Sequence, residues 1–129
     1  MQRLALGVGC QRGASAAELE TLVRRTLAAH ALESAAIALL CSIETKKDEP
    51  AVQVLARRLD VPTRFYAAKR LEQETPRLAS PSDALFRILG CHGVAESAAL
   101  AAAGAGGALL VPKQASRRAT CALAVIESA

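Results

Sequence analysis

Apolar positions recur along this chain in two alternating rhythms. Leu4-Ala5-Leu6-Gly7-Val8-Gly9-Cys10 is an apolar run broken only by glycine, which predicts a first strand over about Arg3 to Gly9. From Ser15 to His30, Leu19, Leu22, Val23 and Leu27 return at helical spacing among Glu18, Glu20, Arg24 and Arg25. Ser15 with Glu18 three residues on is the capping-box signature of a helix start. The run Ala35 to Cys41 is again short and continuous, as in a strand buried on both faces, and a polar break follows from Ser42 to Glu49. Val52, Val54, Leu55 and Leu59 then predict a helix from Pro50 to Asp60, with the proline in its tolerated first-turn place. Pro62 to Tyr66 reads as a third strand, and Ala68 to Glu74 as a short helix with Leu71 inward.

Thr75 to Ser82 is the one loop-like segment, from which Ser80 or Ser82 caps a helix ending at Leu89 and stopped by Gly90. A further helix, Val94 to Ala103, follows the turn Cys91-His92-Gly93, and a fourth strand runs from Ala108 to Val111. The polar connection Pro112 to Ala119 is too short for a helical crossover, so the last strand, Thr120 to Ile126, is expected antiparallel to the fourth. The order describes an α/β chain, residues 1–129 forming a single three-layer α/β/α domain around a mixed five-stranded sheet with its last strand antiparallel.

Composition sharpens this picture. Aromatics make up 2% of the chain, so the core is aliphatic and its helices and strands must approach closely. The net charge is +4, but the cations come as scattered pairs and few aromatics accompany them, which favours a small polyanion over nucleic acid. Cys10, Cys41, Cys91 and Cys121 form no C-x-x-C pair and read as free thiols, so no metal and no cofactor is expected. The opening apolar run is short and followed by a helix cap rather than a cleavage site, and Ala98 to Val111 is too short for a bilayer; no membrane partner and a cytoplasmic location are expected.

Ligands of open α/β sheets lie outside the carboxyl ends of the parallel strands. Those ends are Cys10 to Gly13, Ser42 to Glu49, Tyr66 to Lys69 and Pro112-Lys113. At the first, Gly9, Cys10, Arg12 and Gly13 precede a helix N-terminus, a place suited to an anion, with Arg12 shaped for a carboxylate. The spacing Gly7-x-Gly9-x-x-x-Gly13 is one residue longer than the dinucleotide fingerprint and lacks its acidic partner; the other reading is a turn serving only close packing. Ser42, Lys46 and Lys113 extend the anion-binding set. Glu49 stands one helical turn from Lys46, and Glu96 lies on an otherwise small apolar helix; these two carboxylates are the candidate general bases. His92 beside Cys91 is not by itself a metal site.

Together the strings Gly7-Val-Gly9-Cys-Gln-Arg12-Gly13, Ser42 with Lys46-Lys47-Asp48-Glu49, Ser80-Pro81-Ser82, Gly90-x-x-x-Val94-Ala95-Glu96-Ser-Ala-Ala-Leu100, Leu109-Leu110-Val111-Pro112-Lys113 and Ala119-Thr120 resemble the CobE/CbiG C-terminal-domain family of cobalamin biosynthesis. The resemblance runs in order along essentially the whole chain, whose length matches the stand-alone form. It implies an α/β/α fold and a role in building the corrin ring, as a protein that binds or carries a carboxylate-rich precorrin, a tetrapyrrole, with other enzymes of that pathway as partners. The alternative it implies is hydrolysis of a ring-A lactone of a precorrin, the activity of the fused form. This chain lacks the fused form's N-terminal domain, and its connection Gln114 to Arg118 is more basic than the family's usual polar turn.

Overall fold

The computed structural model describes residues 2–128. Five strands, β1 (Leu4–Cys10), β2 (Ile37–Ile43), β3 (Thr63–Tyr66), β4 (Ala108–Ala115) and β5 (Ala119–Val125), form one sheet in the order β3-β2-β1-β5-β4. β1, β2 and β3 are parallel, and β5 runs antiparallel to both β1 and β4. The sheet is therefore mixed, with its last strand reversed, as the short final connection requires.

Alternation along β1 decides what packs on each face. Leu4, Leu6 and Val8 point to one side, where helices α1 (Ala16–Ala29) and α2 (Pro50–Leu59) bury Leu19, Leu22, Val23, Leu27, Val52 and Leu55. Ala5 and Gly7 face the other side, which carries α3 (Ala68–Glu72) and α5 (Ala95–Ala103), with α4 (Asp83–Leu89) beside them. Three layers result.

The second face is built for close approach. A Cβ on Gly7 would collide with the carbonyl of Ala95 and sit 2.9 Å from the amide nitrogen of Ala99, so only glycine lets α5 lie on the strand. The helix answers in kind, presenting Ala95, Ala98, Ala99 and Ala103, all buried. Cys41, fully buried on β2, completes the contact: its thiol donates to the carbonyls of Leu6 and Ala98, both at 3.2 Å. Burial pushes that thiol far up from its usual range, against a weaker pull from Arg64.

Several boundaries move from those expected, each for a local reason. Ser34–Ala36 forms a 3₁₀ turn, so β2 starts at Ile37 and continues through Ser42 and Ile43 instead of breaking at Ser42. The Ser42 hydroxyl donates to the Val8 carbonyl at 2.6 Å, which lets a polar residue sit buried inside the strand. Ser15 caps α1 by accepting from the Glu18 amide at 3.0 Å, but the Glu18 carboxylate turns elsewhere, so only half of the capping box is made. β4 runs four residues beyond Val111, and the hairpin turn shrinks to Ser116–Arg118.

The segment expected as plain loop is a brace. Within it Thr75–Arg77 is a 3₁₀ turn, and Arg77 donates to the carbonyls of Leu100, Gly104 and Gly107 at 3.2, 3.2 and 3.0 Å, covering the C-terminal end of α5. The same guanidinium pairs with Glu74 at 2.7 Å, and Arg70 pairs with the other oxygen at 2.8 Å. Burial pushes the Glu74 carboxyl up, but its bonds to Arg70 and Arg77 outweigh this and hold it below the usual carboxylate range.

Two glycine substitutions separate close packing from turn geometry. Gly7→Ala should cost about 3 kcal/mol, because the helix backbone above it has no side chain to move aside. Gly13→Ala, at φ 77 with nothing within 4 Å of the added carbon, should cost only about 1 kcal/mol. Urea unfolding of the two variants measures the difference.

Candidate functional site

At the carboxyl ends of β1, β2 and β4 the layers part around a cleft of about 430 Å³. Its floor is the end of β1 and the start of β5, through Gly9, Cys10, Ala119 and Thr120. One wall is apolar: Leu85 and Leu89 from α4, Val94 and Ala95 at the start of α5, and Ile43. The lining also carries four cations, Lys46 from the turn after β2, Lys113 from β4, and Arg117 and Arg118 from the β4–β5 turn. His92, in the turn between α4 and α5, borders the apolar wall with its ring stacked on Phe86, centroids 4.5 Å apart.

Lys113 reaches the cleft through a local break in the sheet. Pairing between β4 and β5 steps out of register between Val111 and Gln114, at Pro112, which has no N–H to give to a ladder. The amide of Lys113, released from the ladder, donates instead to Glu96 at 2.8 Å. The other oxygen of Glu96 accepts from the amides of Ala79 and Ser80 at 3.1 and 3.0 Å. Glu96 thus lies buried in the first turn of α5, held by three backbone N–H groups. A carboxylate so occupied is a strut joining α5, β4 and the 74–80 brace, and it also lines the cleft.

Glu49 is engaged as well. It accepts from the Gly13 amide at 3.2 Å and pairs with Lys46 at 3.7 Å, so it ties the glycine turn to the start of α2 and fixes Lys46; it does not line the cleft. The Lys46–Glu49 contact is the one the spacing predicted. Ser42 is likewise absent from the lining, its hydroxyl already bonded within the sheet.

The glycine turn divides its residues. Gly9 and Cys10 line the cleft, while Arg12 and Gly13 are exposed outside it. The turn closes on itself through Ala14 N–H to the Gln11 carbonyl, 3.0 Å, and Gln11 N–H is taken by Arg118 at 2.9 Å, which leaves Arg12 at the apex. The cradle expected at the start of α1 is therefore not where the cations gather. Cys10 is a thiol there: burial pushes it up, outweighing the pull of Lys46.

Arg117 and Arg118, which the sequence reading did not single out as site residues, line the cleft, and Arg12 does not. Their position depends on Glu18, whose carboxylate accepts from the Ser116 hydroxyl and from the Arg118 amide, the latter at 2.6 Å. The Ser116 bond, then the Arg118 amide, hold Glu18 below the usual carboxylate range. The sequence signal for this pair was its turn between the last two strands, which reversal brings to the same sheet end as Gly9 and Cys10. Among the described residues no group of three His, Cys, Asp or Glu is placed to hold a metal ion, and no helix is long and apolar enough to cross a membrane.

Replacing Glu96 with Gln keeps its size but sets an amide NH₂ against backbone donors, which should cost about 2 kcal/mol in urea unfolding. Acid should act through the other ties. Glu18 and Glu74 both have folded pKa values below their unfolded ones, so the stability they contribute is complete above the ordinary carboxylate pKa, about 4.3, and is lost as pH falls below it through the folded values. A melting-temperature series from pH 7 to pH 3 should fall chiefly below about pH 4.5, less steeply in Glu74→Gln.

Comparison with known proteins agrees with this architecture. The family profile described as cobalamin synthesis G C-terminus matches residues 4–124. Protein CobE of a Sinorhizobium species is 44% identical over 121 residues, 94% of this chain and 79% of that protein. The cobalt-precorrin-5A hydrolase of Priestia megaterium is 38% identical over 111 residues, which are 86% of this chain but only 29% of the hydrolase. The crystal structure of CobE, a protein from the cobalamin (vitamin B12) biosynthetic pathway, superposes with a TM-score of 0.90 at 42% identity, covering 99% of this chain and 93% of that one. Cobalamin biosynthesis protein chiG from Agrobacterium tumefaciens gives a TM-score of 0.74 at 29% identity, over 97% and 99% of the two chains. The strut Glu96, the bulge at Pro112-Lys113 and the Gly7 contact all lie within the matched span, and the chain belongs to the CobE/CbiG C-terminal family of cobalamin biosynthesis proteins.

Proposed function

We propose that the cleft binds a carboxylate-rich tetrapyrrole, a precorrin intermediate of corrin-ring construction, and that the protein serves as its carrier or as an accessory to the pathway's enzymes. The observation that carries this reading is that apolar side chains and four cations line one cleft. A tetrapyrrole needs both, with a flat apolar face and acetate and propionate groups at its edge. Lys46, Lys113, Arg117 and Arg118 reach carboxylates at the edge as charge-assisted donors, while Leu85, Leu89 and Val94 cover the face. The lining carboxylate, Glu96, is already held by three N–H groups and offers little to repel an acid.

Size fixes how such a ligand is held. A cleft of about 430 Å³ lies toward the lower end of small-molecule sites, so the macrocycle enters by one edge and leaves the other outside. A ligand half outside its site is well placed for transfer to a second protein, which suits a carrier. Both carboxylates of the alternative hydrolase reading, Glu49 and Glu96, already accept backbone N–H groups, which favours binding over catalysis by them.

Titration with uroporphyrin, an eight-carboxylate tetrapyrrole, followed by its absorbance, tests the reading. Binding should weaken with added salt, and Lys113→Ala and Arg117→Ala should each reduce affinity about tenfold, about 1.4 kcal/mol, as for a lost charge-assisted contact. Arg12→Ala should leave the affinity unchanged. Failure of uroporphyrin and of corrin-pathway acids to bind at all would overturn the assignment.

A further inference from the structure

Helix α4 supplies Leu85 and Leu89 to the cleft, yet the rest of the molecule holds it loosely. It is seven residues long, none of them fully buried, and Phe86 and Ile88 are 43% and 78% exposed. A helix this short has little stability of its own and takes what it has from packing. Leu89 leans on the core of that face, and the other contacts converge on one residue, His92. The Ser82 N–H donates to the His92 carbonyl at 2.8 Å, Phe86 stacks on the ring with centroids 4.5 Å apart, and Asp83 lies 3.4 Å from Nε2. Across the cleft, α5 is buried along nearly its whole length.

The post that α4 leans on is firm. Glu72 on α3 accepts from the His92 backbone amide at 2.9 Å and lies 2.8 and 3.0 Å from Nδ1, and the Thr75 hydroxyl donates to the same carboxylate at 2.8 Å. His92 is therefore tied to the body, independently of α4. The two ends of the helix are open by comparison. Gly90 stops it at φ 82, with nothing within 4 Å of the place a Cβ would take. At the other end Pro81 is exposed, and Ser82 caps the helix by accepting from the Leu85 amide at 3.1 Å, a bond that travels with the helix.

We propose that α4 is a lid, which swings as one piece about Pro81 and Gly90 to admit the ligand and closes Leu85 and Leu89 over its apolar face, with the contacts of Phe86 and Ser82 to His92 as the latch. The inference rests on the binding reading, because the ligand supplies the apolar surface on which the closed lid gains. Over an empty cleft the two half-buried leucines favour closure weakly. Over a flat apolar ligand they bury more surface, and the ligand shifts the lid toward closed by that difference. The same movement gates entry and exit, so both rates depend on the latch.

Hydrogen exchange in the whole chain reads the lid directly. In the free protein the amides of residues 86–89 should exchange at least about a hundredfold faster than those of Ala99, Leu100 and Ala103 in α5, and saturating uroporphyrin should slow them about tenfold or more. Phe86 does not line the cleft, so Phe86→Ala loosens the latch without removing a lining side chain. Stopped-flow mixing of this variant with uroporphyrin should show association and dissociation both faster, each by about threefold or more, with exchange in α5 unaltered. A fixed wall leaves the association rate as it was, and that result would overturn the lid. So would protection of residues 86–89 equal to that of α5 in the free wild-type protein, a readout independent of any variant's folding. If uroporphyrin binds without slowing exchange in α4, the lid falls and the binding reading stands; if uroporphyrin does not bind, the binding reading has failed and the lid with it.

Discussion

The contact on which this structure turns is between two backbones, that of β1 at Gly7 and that of α5 at Ala95 and Ala99. With no side chain on the strand and alanines on the helix, the helix settles directly on the sheet and brings its first turn to the carboxyl end of β1. That places Val94, Ala95 and Glu96 against Gly9 and Cys10, and so makes one corner of the cleft. The scarcity of aromatic residues follows from the same constraint, since a layer so close to the sheet has no room for rings. Phe86 stands outside it, stacked on His92, and is partly exposed.

Carboxylates do much of the remaining assembly, and they do it by accepting from backbone amides. Glu96 joins α5 to β4 and to the 74–80 brace, Glu49 joins the glycine turn to the start of α2, and Glu18 fixes the hairpin turn to α1. Each tie satisfies amides that a turn, a bulge or a helix end would leave without partners, so the carboxylate is consumed by structure. The cations follow a different pattern: Lys113, Arg117 and Arg118 line the cleft, outside any ion pair among the described residues. The lining acid, Glu96, is engaged by amides while these three cations are not paired, so the cleft carries a positive charge.

The apolar wall has a different origin. α4 buries none of its own residues fully, and it is attached to the body through the His92 turn: Ser82 N–H donates to the His92 carbonyl at 2.8 Å, and Phe86 stacks on the ring. Leu85 and Leu89, half-buried, line the cleft, and Leu89 also packs against the core on that face of the sheet. Apolar side chains left toward a basic cavity are costly to maintain in water.

The order of elements, the buried first strand, the reversed last strand and the family were legible in the sequence, because hydrophobic periodicity and short connections are local properties and the family strings follow one another along the chain. That Gly9, Cys10, Lys46 and Lys113 gather at one end of the sheet, where all four line the cleft, was legible for a related reason: the carboxyl-end rule needs only strand order and direction. What the tertiary structure alone decided is how each charged group is used. Nothing local distinguishes Glu96, which meets amides 16 and 17 positions away, from a carboxylate free to act as a base. Nor does the sequence show that the Glu72 carboxylate and the His92 ring, 20 residues apart, lie within hydrogen-bond distance, or that Glu18 leaves its own helix cap for a turn 100 residues on. Hydrogen bonds at that separation form only after the layers have packed, and it is these bonds that sort the charged groups into structural ties and unpaired charges lining the cleft.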